Sequence, residues 1–179
     1  MLPVNPYGCA KAFARQMVVV YRKTYGLFAC NGILYNHESP RRGENFVARK
    51  ICRAAAAIKL GQQKDLRLGD TSAKRDWGHS RDYVRGMWLA LQHKTAEDFV
   101  FATGKLHTVQ DVVETAFGVV KLDWKDHVKQ DDARFIRPAE PLHLVGNATK
   151  AQKLLKWKPE TTFEELITEM TEAELALLS

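Results

Sequence analysis

A tyrosine and a lysine four residues apart are the side chains in this sequence best suited to acid–base chemistry. Tyr7 and Lys11 follow Asn5-Pro6, and asparagine is a favoured helix cap while proline suits the first helical turn. Residues four apart lie on one face of a helix. A phenol, with a reference pKa of about 10, is a weak base at neutral pH, and a neighbouring ammonium favours the phenolate. The pair therefore predicts a catalytic base, although this spacing alone is also common on ordinary helix surfaces.

Helices and strands alternate in the pattern around this pair. Apolar residues at helical spacing predict a first helix that ends at Gly26, and the apolar run 27–34 predicts a buried strand. Further along, the pattern predicts a helix over 45–60, whose inner stripe is Phe46, Val47, Ile51, Ala54, Ala55 and Ile58, and then a strand over 66–68. It next predicts a helix that carries Val84, Met87, Trp88 and Leu91, followed by a strand over 99–102. Two capping boxes, Thr108/Asp111 and Thr162/Glu165, predict the starts of two more helices. Trp77, Trp88 and Trp157 are assigned to packing. Such alternation is typical of an α/β fold with parallel strands.

The composition is that of a folded globular protein. Of the 179 residues, 45% are apolar and 27% are charged, which is enough for one core. No apolar run is long enough to cross a bilayer and the N-terminus lacks the order of a signal peptide, so we expect a cytoplasmic protein with no membrane partner. Cys9, Cys30 and Cys52 are spaced neither as a disulfide framework nor as a metal knuckle. We predict reduced packing cysteines and no metal site.

The formal charge of +6 attracts polyanions, which leaves nucleic acid and a diphosphate ligand both open. The charge lies in short clusters such as Arg41-Arg42 and not in a basic tail, and most such clusters are solvated faces. Nucleic-acid binding therefore rests on charge alone, and we predict none.

Four runs of sequence make the Tyr-Lys pair more specific. In order, they are N-P-Y-G-C-A-K at 5–11, N-G-I-L-Y-N-H-E-S-P-R-R-G at 31–43, N-F-V-A-R-K-I at 45–51 and K-R-D-W-G-H-S-R-D-Y-V at 74–84. Together they resemble the GDP-mannose 4,6-dehydratase family of extended short-chain dehydrogenases/reductases, and the likeness covers residues 5–178. The run at 31–43 is the most particular to that family, because other nucleotide-sugar dehydratases and epimerases share the Tyr-Lys pair.

This resemblance implies an α/β fold: an incomplete Rossmann-like doubly wound domain with a smaller α/β substrate-binding lobe. Residues 1–40 would be a remnant of the NADP-binding domain. Residues 41–179 would form mainly the nucleotide-sugar lobe, with some segments returning to the Rossmann domain. A homo-oligomer is implied for full-length members of the family.

The resemblance also implies a lyase that converts GDP-mannose to GDP-4-keto-6-deoxy-mannose, with NADP as an internal hydride carrier. Tyr7 would remove the C4 hydroxyl proton, Lys11 would hold the nicotinamide ribose, and His37 and Arg42 would contact the cofactor. The residues matched to the sugar nucleotide are Asn36, Asn45, Lys50, Arg75, Arg137 and Glu140. Guanidinium forks suit phosphate oxygens, and a carboxylate can accept hydrogen bonds from ribose hydroxyls.

The sequence departs from that family where the cofactor phosphates are held. No two of its eleven glycines are spaced as G-x-G, so the dinucleotide-binding fingerprint is absent. The family's Thr and its Glu acid/base, expected upstream of Tyr7, are absent too, and we predict little activity for the isolated chain. Two alternatives stay open: another nucleotide-sugar epimerase or reductase of the same family, and a non-catalytic remnant that binds a GDP-sugar.

Overall fold

The structure is a computed structural model that describes residue 3 and residues 5–130 and 144–179. Its elements, in chain order, are α1 Pro6–Tyr25, β1 Asn31–Leu34, β2 Asn36–Glu38, α2 Val47–Lys59, β3 Leu66–Arg67, β4 Lys74–Arg75, β5 Trp77–His79, α3 Ser80–Gln92, β6 Asp98–Phe101, β7 His107–Thr108, α4 Val109–Val119, β8 Val128–Lys129, α5 Thr149–Leu155 and α6 Phe163–Leu178. A short 3₁₀ turn precedes β8. The predicted α/β class is confirmed.

Helix α1 begins and ends where the sequence predicts. The Asn5 side chain accepts a hydrogen bond from the Gly8 amide at 2.7 Å, and Pro6 lies in the first turn. Gly26 closes the helix with a φ of 64°, a left-handed conformation that glycine adopts without strain. No residue of α1 is buried, although the helix carries large apolar side chains such as that of Phe13.

A polar clamp ties α1 to the strands. Asp98, the first residue of β6, accepts hydrogen bonds from Arg15 Nη2 at 3.0 Å and from Arg22 Nη2 at 2.9 Å. The same carboxylate accepts from Asn31 Nδ2 in β1 at 3.0 Å. One carboxylate therefore joins the helix to both strands, and charge-assisted bonds of this kind are stronger than neutral ones.

Strands β1 and β6 form a two-stranded parallel sheet in which Asn31 lies opposite Asp98. Side chains alternate between the faces of a strand. Asn31 and Asp98 therefore face α1, whereas Phe99 and Phe101 face α3 and α5 on the opposite side, where they are buried. Strand β1 is shorter than the predicted strand over 27–34, because its pairing with β6 begins only at Asn31.

Three further strand pairs complete the described sheets. β2 pairs in parallel with β5, β3 in parallel with β8, and β4 antiparallel with β7. The chain passes directly from β1 to β2 through Tyr35, whose amide donates to the Phe101 carbonyl at 3.0 Å. Residues of the 31–43 run thus connect the β1–β6 sheet to the β2–β5 pair.

Helices α2, α4 and α6 enclose the larger core. Both predicted capping boxes are present, at Thr108 with Asp111 and at Thr162 with Glu165, and they open α4 and α6. The side chains that these helices bury include Ala48, Ile51, Cys52, Ala55, Val112, Val113, Ala116, Phe117, Leu166, Ile167 and Met170. Small alanine side chains on α2 allow its neighbours to approach closely.

Two residues predicted for the inner stripe of α2 are instead exposed. Phe46 precedes the helix and Val47 opens it, and neither is buried. The Phe46 ring lies beneath the Arg42 guanidinium, 3.4 Å from ring centre to Cζ, and not in the core. The prediction was wrong at these two positions because helical periodicity does not show where a helix enters its core.

Helix α3 packs through small residues, so that its largest apolar side chain points away from the core. Gly86 and Ala90 face the β6 side, and a Cβ placed on Gly86 would lie 2.4 Å from Phe101 Cε1. Trp88 is 59% exposed, and its assignment to packing was wrong. Trp77 and Trp157 are buried, which confirms their assignment.

The three cysteines differ in their exposure to solvent. The three cysteines are free, but Cys9 is exposed, so the packing interpretation fails there and holds for buried Cys52. In the ranges 5–130 and 144–179, no helix combines the length and apolarity needed to cross a bilayer. Within those same ranges, no three His, Cys, Asp or Glu side chains converge as a set of metal ligands.

Candidate active site

The Tyr-Lys pair lies at the exposed start of α1. Lys11 Nζ is 5.5 Å from the centre of the Tyr7 ring, close enough for an attractive contact between the ammonium and the aromatic face. Tyr7 is 71% exposed. The N-cap at Asn5 fixes the first turn and therefore the direction in which both side chains leave the helix. The structure thus brings the two predicted catalytic residues together on one accessible face.

His37 and Asn36 lie on β2, directly after β1. Asn36 lies opposite Trp77 in the β2–β5 pair, which places it near the end of β4, where Arg75 lies. His37 Nδ1 is 2.9 Å from the Tyr35 carbonyl, and its ring stacks on Tyr83 at 5.2 Å between centres. If Nδ1 donates to that carbonyl, Nε2 is the acceptor nitrogen available to a ligand.

Arg42 forms an ion pair with a buried carboxylate. Its Nε is 3.1 Å from Oε2 of Glu38, which is 2% exposed. Burial raises the pKa of Glu38 to about 7, and the positive charge of Arg42 opposes this rise. A guanidinium carries further N–H groups besides Nε, so this pair orients Arg42 without using all its donors.

The residues predicted for the sugar nucleotide are distributed over several elements. Arg75 ends β4 and donates to the Lys74 carbonyl at 2.7 Å. Lys50 on α2 donates to the Arg67 carbonyl at 3.0 Å, and Asn45 is exposed just before α2. Arg137 and Glu140 lie outside the described residues.

Asp76 is a structural residue of this site that the sequence did not reveal. Its fully buried carboxylate accepts hydrogen bonds from the Thr103 amide at 2.8 Å and hydroxyl at 2.6 Å. It also accepts from the amides of Gly104 at 2.9 Å and Gly146 at 3.0 Å. Because Asp76 directly follows Arg75, it joins the strand that carries Arg75 to the loop after β6 and to the segment before α5. In the sequence, Asp76 is one charged residue in a polar segment, and no local pattern predicts that it is buried or that it joins these segments.

The structure therefore brings some predicted residues together and leaves the relation between others a prediction. Asn36, His37 and Arg42 share one segment, and strand pairing places Asn36 opposite Trp77, two residues after Arg75. Tyr7 and Lys11 lie on α1, which is clamped to the β1–β6 sheet. A nearby surface groove of about 340 Å³ is lined by residues 102–104, 146–149 and 152, and includes none of the predicted site residues. That one ligand spans Tyr7 and Arg75 stays a prediction.

Solved structures show the fold to which this chain belongs. The structure described as RMD from Pseudomonas aeruginosa, complexed with NADPH, matches 98% of this chain and 58% of that chain, with a TM-score of 0.90 at 22% identity. A dTDP-glucose 4,6-dehydratase from Bacillus anthracis, in complex with NAD, matches 97% of this chain and 53% of its own, with a TM-score of 0.82 at 23% identity. This chain has the same Rossmann-like fold as these two proteins.

Sequence relatives identify the family. The family model for GDP-mannose 4,6 dehydratase matches residues 1–170, and the chain belongs to this family. GDP-mannose 4,6 dehydratase 1 of Arabidopsis thaliana is 51% identical over 98% of this chain and 48% of that relative. The Homo sapiens GDP-mannose 4,6 dehydratase is 48% identical over 98% of this chain and 52% of that relative. The chain spans about half the length of the curated relatives it matches.

Proposed function

We propose that this chain supplies the catalytic tyrosine and much of the sugar-nucleotide side of a GDP-mannose 4,6-dehydratase. The reaction removes water from GDP-mannose to give GDP-4-keto-6-deoxy-mannose, with NADP as cofactor. The observation that carries this proposal is the exposed Tyr7 and Lys11 pair at the start of α1, in a chain that belongs to the dehydratase family. A homo-oligomer in the cytoplasm is part of the same proposal.

Tyr7 is the proposed base for the proton of the mannose C4 hydroxyl. Its exposure lets a sugar ring approach the phenol oxygen. Lys11 lies beside it and its ammonium stabilises the negative charge that develops on that oxygen as the proton leaves. The two side chains therefore have separate roles, proton transfer for Tyr7 and electrostatic stabilisation for Lys11.

The residues of this chain fit the nicotinamide-ribose part of a dinucleotide and not its pyrophosphate. Lys11 can donate to ribose hydroxyls, and Tyr7 and His37 offer further polar atoms in the predicted cofactor set. When bound, a nicotinamide dinucleotide supplies a reversible hydride acceptor. No G-x-G turn occurs in the sequence, so this chain offers no Rossmann fingerprint for the pyrophosphate. The solved neighbours hold NADPH or NAD, and the choice of NADP belongs to the proposal.

The second candidate is a GDP-sugar-binding module without turnover, which the absent fingerprint favours. The two functions differ in one assay. We would mix the chain with the N-terminal half of the Arabidopsis relative, add NADP and GDP-mannose, and measure the 4-keto product. The dehydratase proposal expects turnover by the pair and little by the 179-residue chain alone.

Two tyrosines on α1 provide the matched test of the proposed base. Tyr7 is 71% exposed and Tyr25 is 66% exposed, at opposite ends of the helix. Removing a general base typically lowers the rate by about 10²–10⁴-fold. Tyr7→Phe should therefore lower the turnover of the pair by that factor, and Tyr25→Phe should leave turnover near wild type. A fully active Tyr7→Phe pair would reject Tyr7 as the base.

Calorimetry separates the nucleotide specificity from turnover. GDP-mannose should bind to the assembled pair better than a UDP-sugar or single-stranded nucleic acid. Arg75→Ala should weaken that binding by about 1.5–3 kcal/mol, the range for a hydrogen bond to a charged group. Arg81→Ala is the control, because Arg81 is exposed and pairs with Glu169 at the surface, where ion pairs contribute little. Equal heats for GDP- and UDP-sugars would remove the substrate assignment.

A further inference from the structure

Arg49 on α2 binds two other segments of the chain at once. Its Nε donates to Glu174 Oε1 on α6 at 2.6 Å, and its Nη1 donates to the carbonyl of Arg42. Its Nη2 lies 3.9 Å from Glu44 Oε1. The Arg49 side chain is 15% exposed, and Glu174 is 2% exposed. Each nitrogen of this guanidinium therefore has a partner, either on α6 or in the segment between β2 and α2.

The carbonyl that Arg49 binds belongs to the turn that carries Arg42. The Arg42 amide donates to the Ser39 carbonyl at 2.9 Å, which closes this turn directly after β2. The Arg42 Nε is 3.1 Å from buried Glu38, and its Cζ is 3.4 Å from the centre of the Phe46 ring. A carboxylate at one edge and an aromatic face beneath it fix the plane of a guanidinium. The Arg42 side chain is 27% exposed, so part of this guanidinium stays accessible to a ligand.

We propose that Arg49 is a positioning residue for Arg42. By tying the 39–42 turn to α6, it keeps the Arg42 guanidinium beside Glu38 and above Phe46. Ordering a long side chain opposes ligand binding, and a side chain that is already positioned avoids this cost. That Arg42 serves an anionic group, such as a phosphate of the cofactor, rests on the proposed function. The position of Arg42 does not, because it depends only on contacts within this chain.

Arg53 provides a matched comparison, because it shares both carboxylate partners of Arg49. It lies one helical turn further along α2, and its Nη1 is 3.1 Å from Glu174 Oε2 and 3.6 Å from Glu44 Oε1. Within the described residues, Arg49 is the one of the two that donates to the Arg42 carbonyl. Lysine keeps the charge at either position but lacks the planar fork that binds two partners at fixed angles. Arg49→Lys should therefore release the turn, whereas Arg53→Lys should leave it in place.

The ionisation of Glu38 reports where Arg42 lies. Burial raises the pKa of Glu38 to about 7, and the positive charge of Arg42 opposes that rise. If Arg42 moves away while Glu38 stays buried, the pKa of Glu38 rises further. The other titratable groups nearby are Cys52 on α2, His79 opposite Glu38 on β5, and Glu174 beside Cys52. These three are the same in every variant below, so a difference between variants reports the position of Arg42.

We would label the glutamate carboxyl carbons isotopically and follow the Glu38 signal by NMR against pH in wild type, Arg49→Lys, Arg53→Lys and Arg42→Ala. Glu38→Gln identifies the signal. The pKa of Glu38 in Arg49→Lys should exceed that of wild type and lie closer to that of Arg42→Ala, while Arg53→Lys should match wild type. Exchange of the Arg42 amide, which closes the turn, should also be faster in Arg49→Lys.

Equal pKa values of Glu38 in Arg49→Lys and Arg53→Lys would overturn the proposal. So would a pKa of Glu38 that Arg42→Ala leaves unchanged, because Arg42 would then not lie beside Glu38. A measurement on the wild-type chain decides the case in which Arg49→Lys does not fold. A guanidinium bound at each nitrogen rotates slowly, so Arg49 should give separate NMR signals for its two Nη groups, whereas Arg81, with a side chain 70% exposed, should give an averaged signal. An averaged signal for Arg49 would reject its positioning role.

Discussion

The carboxylate of Asp76 is the side chain whose replacement should reveal most about how this lobe is held together. It accepts four hydrogen bonds, two on each oxygen, from Thr103, Gly104 and Gly146. Asparagine keeps one acceptor oxygen and puts an NH₂ donor in place of the other. With the NH₂ toward the glycines, the Gly104 and Gly146 amides lose their acceptor. With the NH₂ toward Thr103, the hydroxyl can accept one of its N–H groups, but the Thr103 amide and the second N–H are left without an acceptor. A buried donor without an acceptor costs about 1–3 kcal/mol, so Asp76→Asn should lower the free energy of unfolding by about 2–6 kcal/mol.

Urea unfolding measures this loss. With a slope of roughly 2 kcal/mol per molar urea, the midpoint of Asp76→Asn should fall by about 1–3 M while the slope stays constant. The matched control is Asp123→Asn, since Asp123 is exposed and accepts from the Lys125 amide at 3.0 Å, a bond that asparagine preserves. Its free energy of unfolding should change by less than about 0.5 kcal/mol, which moves the urea midpoint by less than about 0.25 M. Equal small shifts in both variants would refute the assignment of Asp76 as the residue that joins these segments.

Three further results follow from the packing and the ionisation of single residues. Gly86→Ala should destabilise the chain by about 1–2 kcal/mol, because overpacking against Phe101 outweighs the gain in helix propensity. Gly118 has open space around it, so Gly118→Ala should stabilise the chain by up to about 1 kcal/mol. Thermal melts measure both effects, and a higher melting temperature for Gly86→Ala than for Gly118→Ala would contradict this reasoning. Burial raises the pKa of Glu38 from 4.5 to about 7, so the folded state binds that proton more tightly than the unfolded chain, and stability should fall by about 3 kcal/mol between about pH 4.5 and 7. Glu38→Gln should lack this fall, which urea titrations at pH 5 and 8 would show, and identical pH dependence in both proteins would count against it. Burial also raises the pKa of the Cys52 thiol to about 12, so a thiol reagent should label exposed Cys9 in the native chain and Cys52 only after unfolding; rapid native labelling of Cys52 would contradict its burial.

The sequence by itself determined the features that depend on neighbouring residues. The start of α1 follows from Asn5 and its end from Gly26, because a cap and a left-handed glycine act within one helical turn. The capping boxes at Thr108 and Thr162 are local in the same way. The placement of Tyr7 beside Lys11 also needed only helical spacing. The 31–43 run indicated the family without any structural information.

Tertiary structure decided which of several possible contacts each residue makes. Helical spacing marked the apolar residues of α3, but the close approach of Gly86 to Phe101 turned the small side inward and left Trp88 outside. The role of Asp76 depends on residues 27 and 70 positions further along the chain. Which side of a helix is buried, and which groups a carboxylate binds, depend on the elements that pack beside it. Those elements are distant in the sequence, so a local pattern cannot predict these contacts.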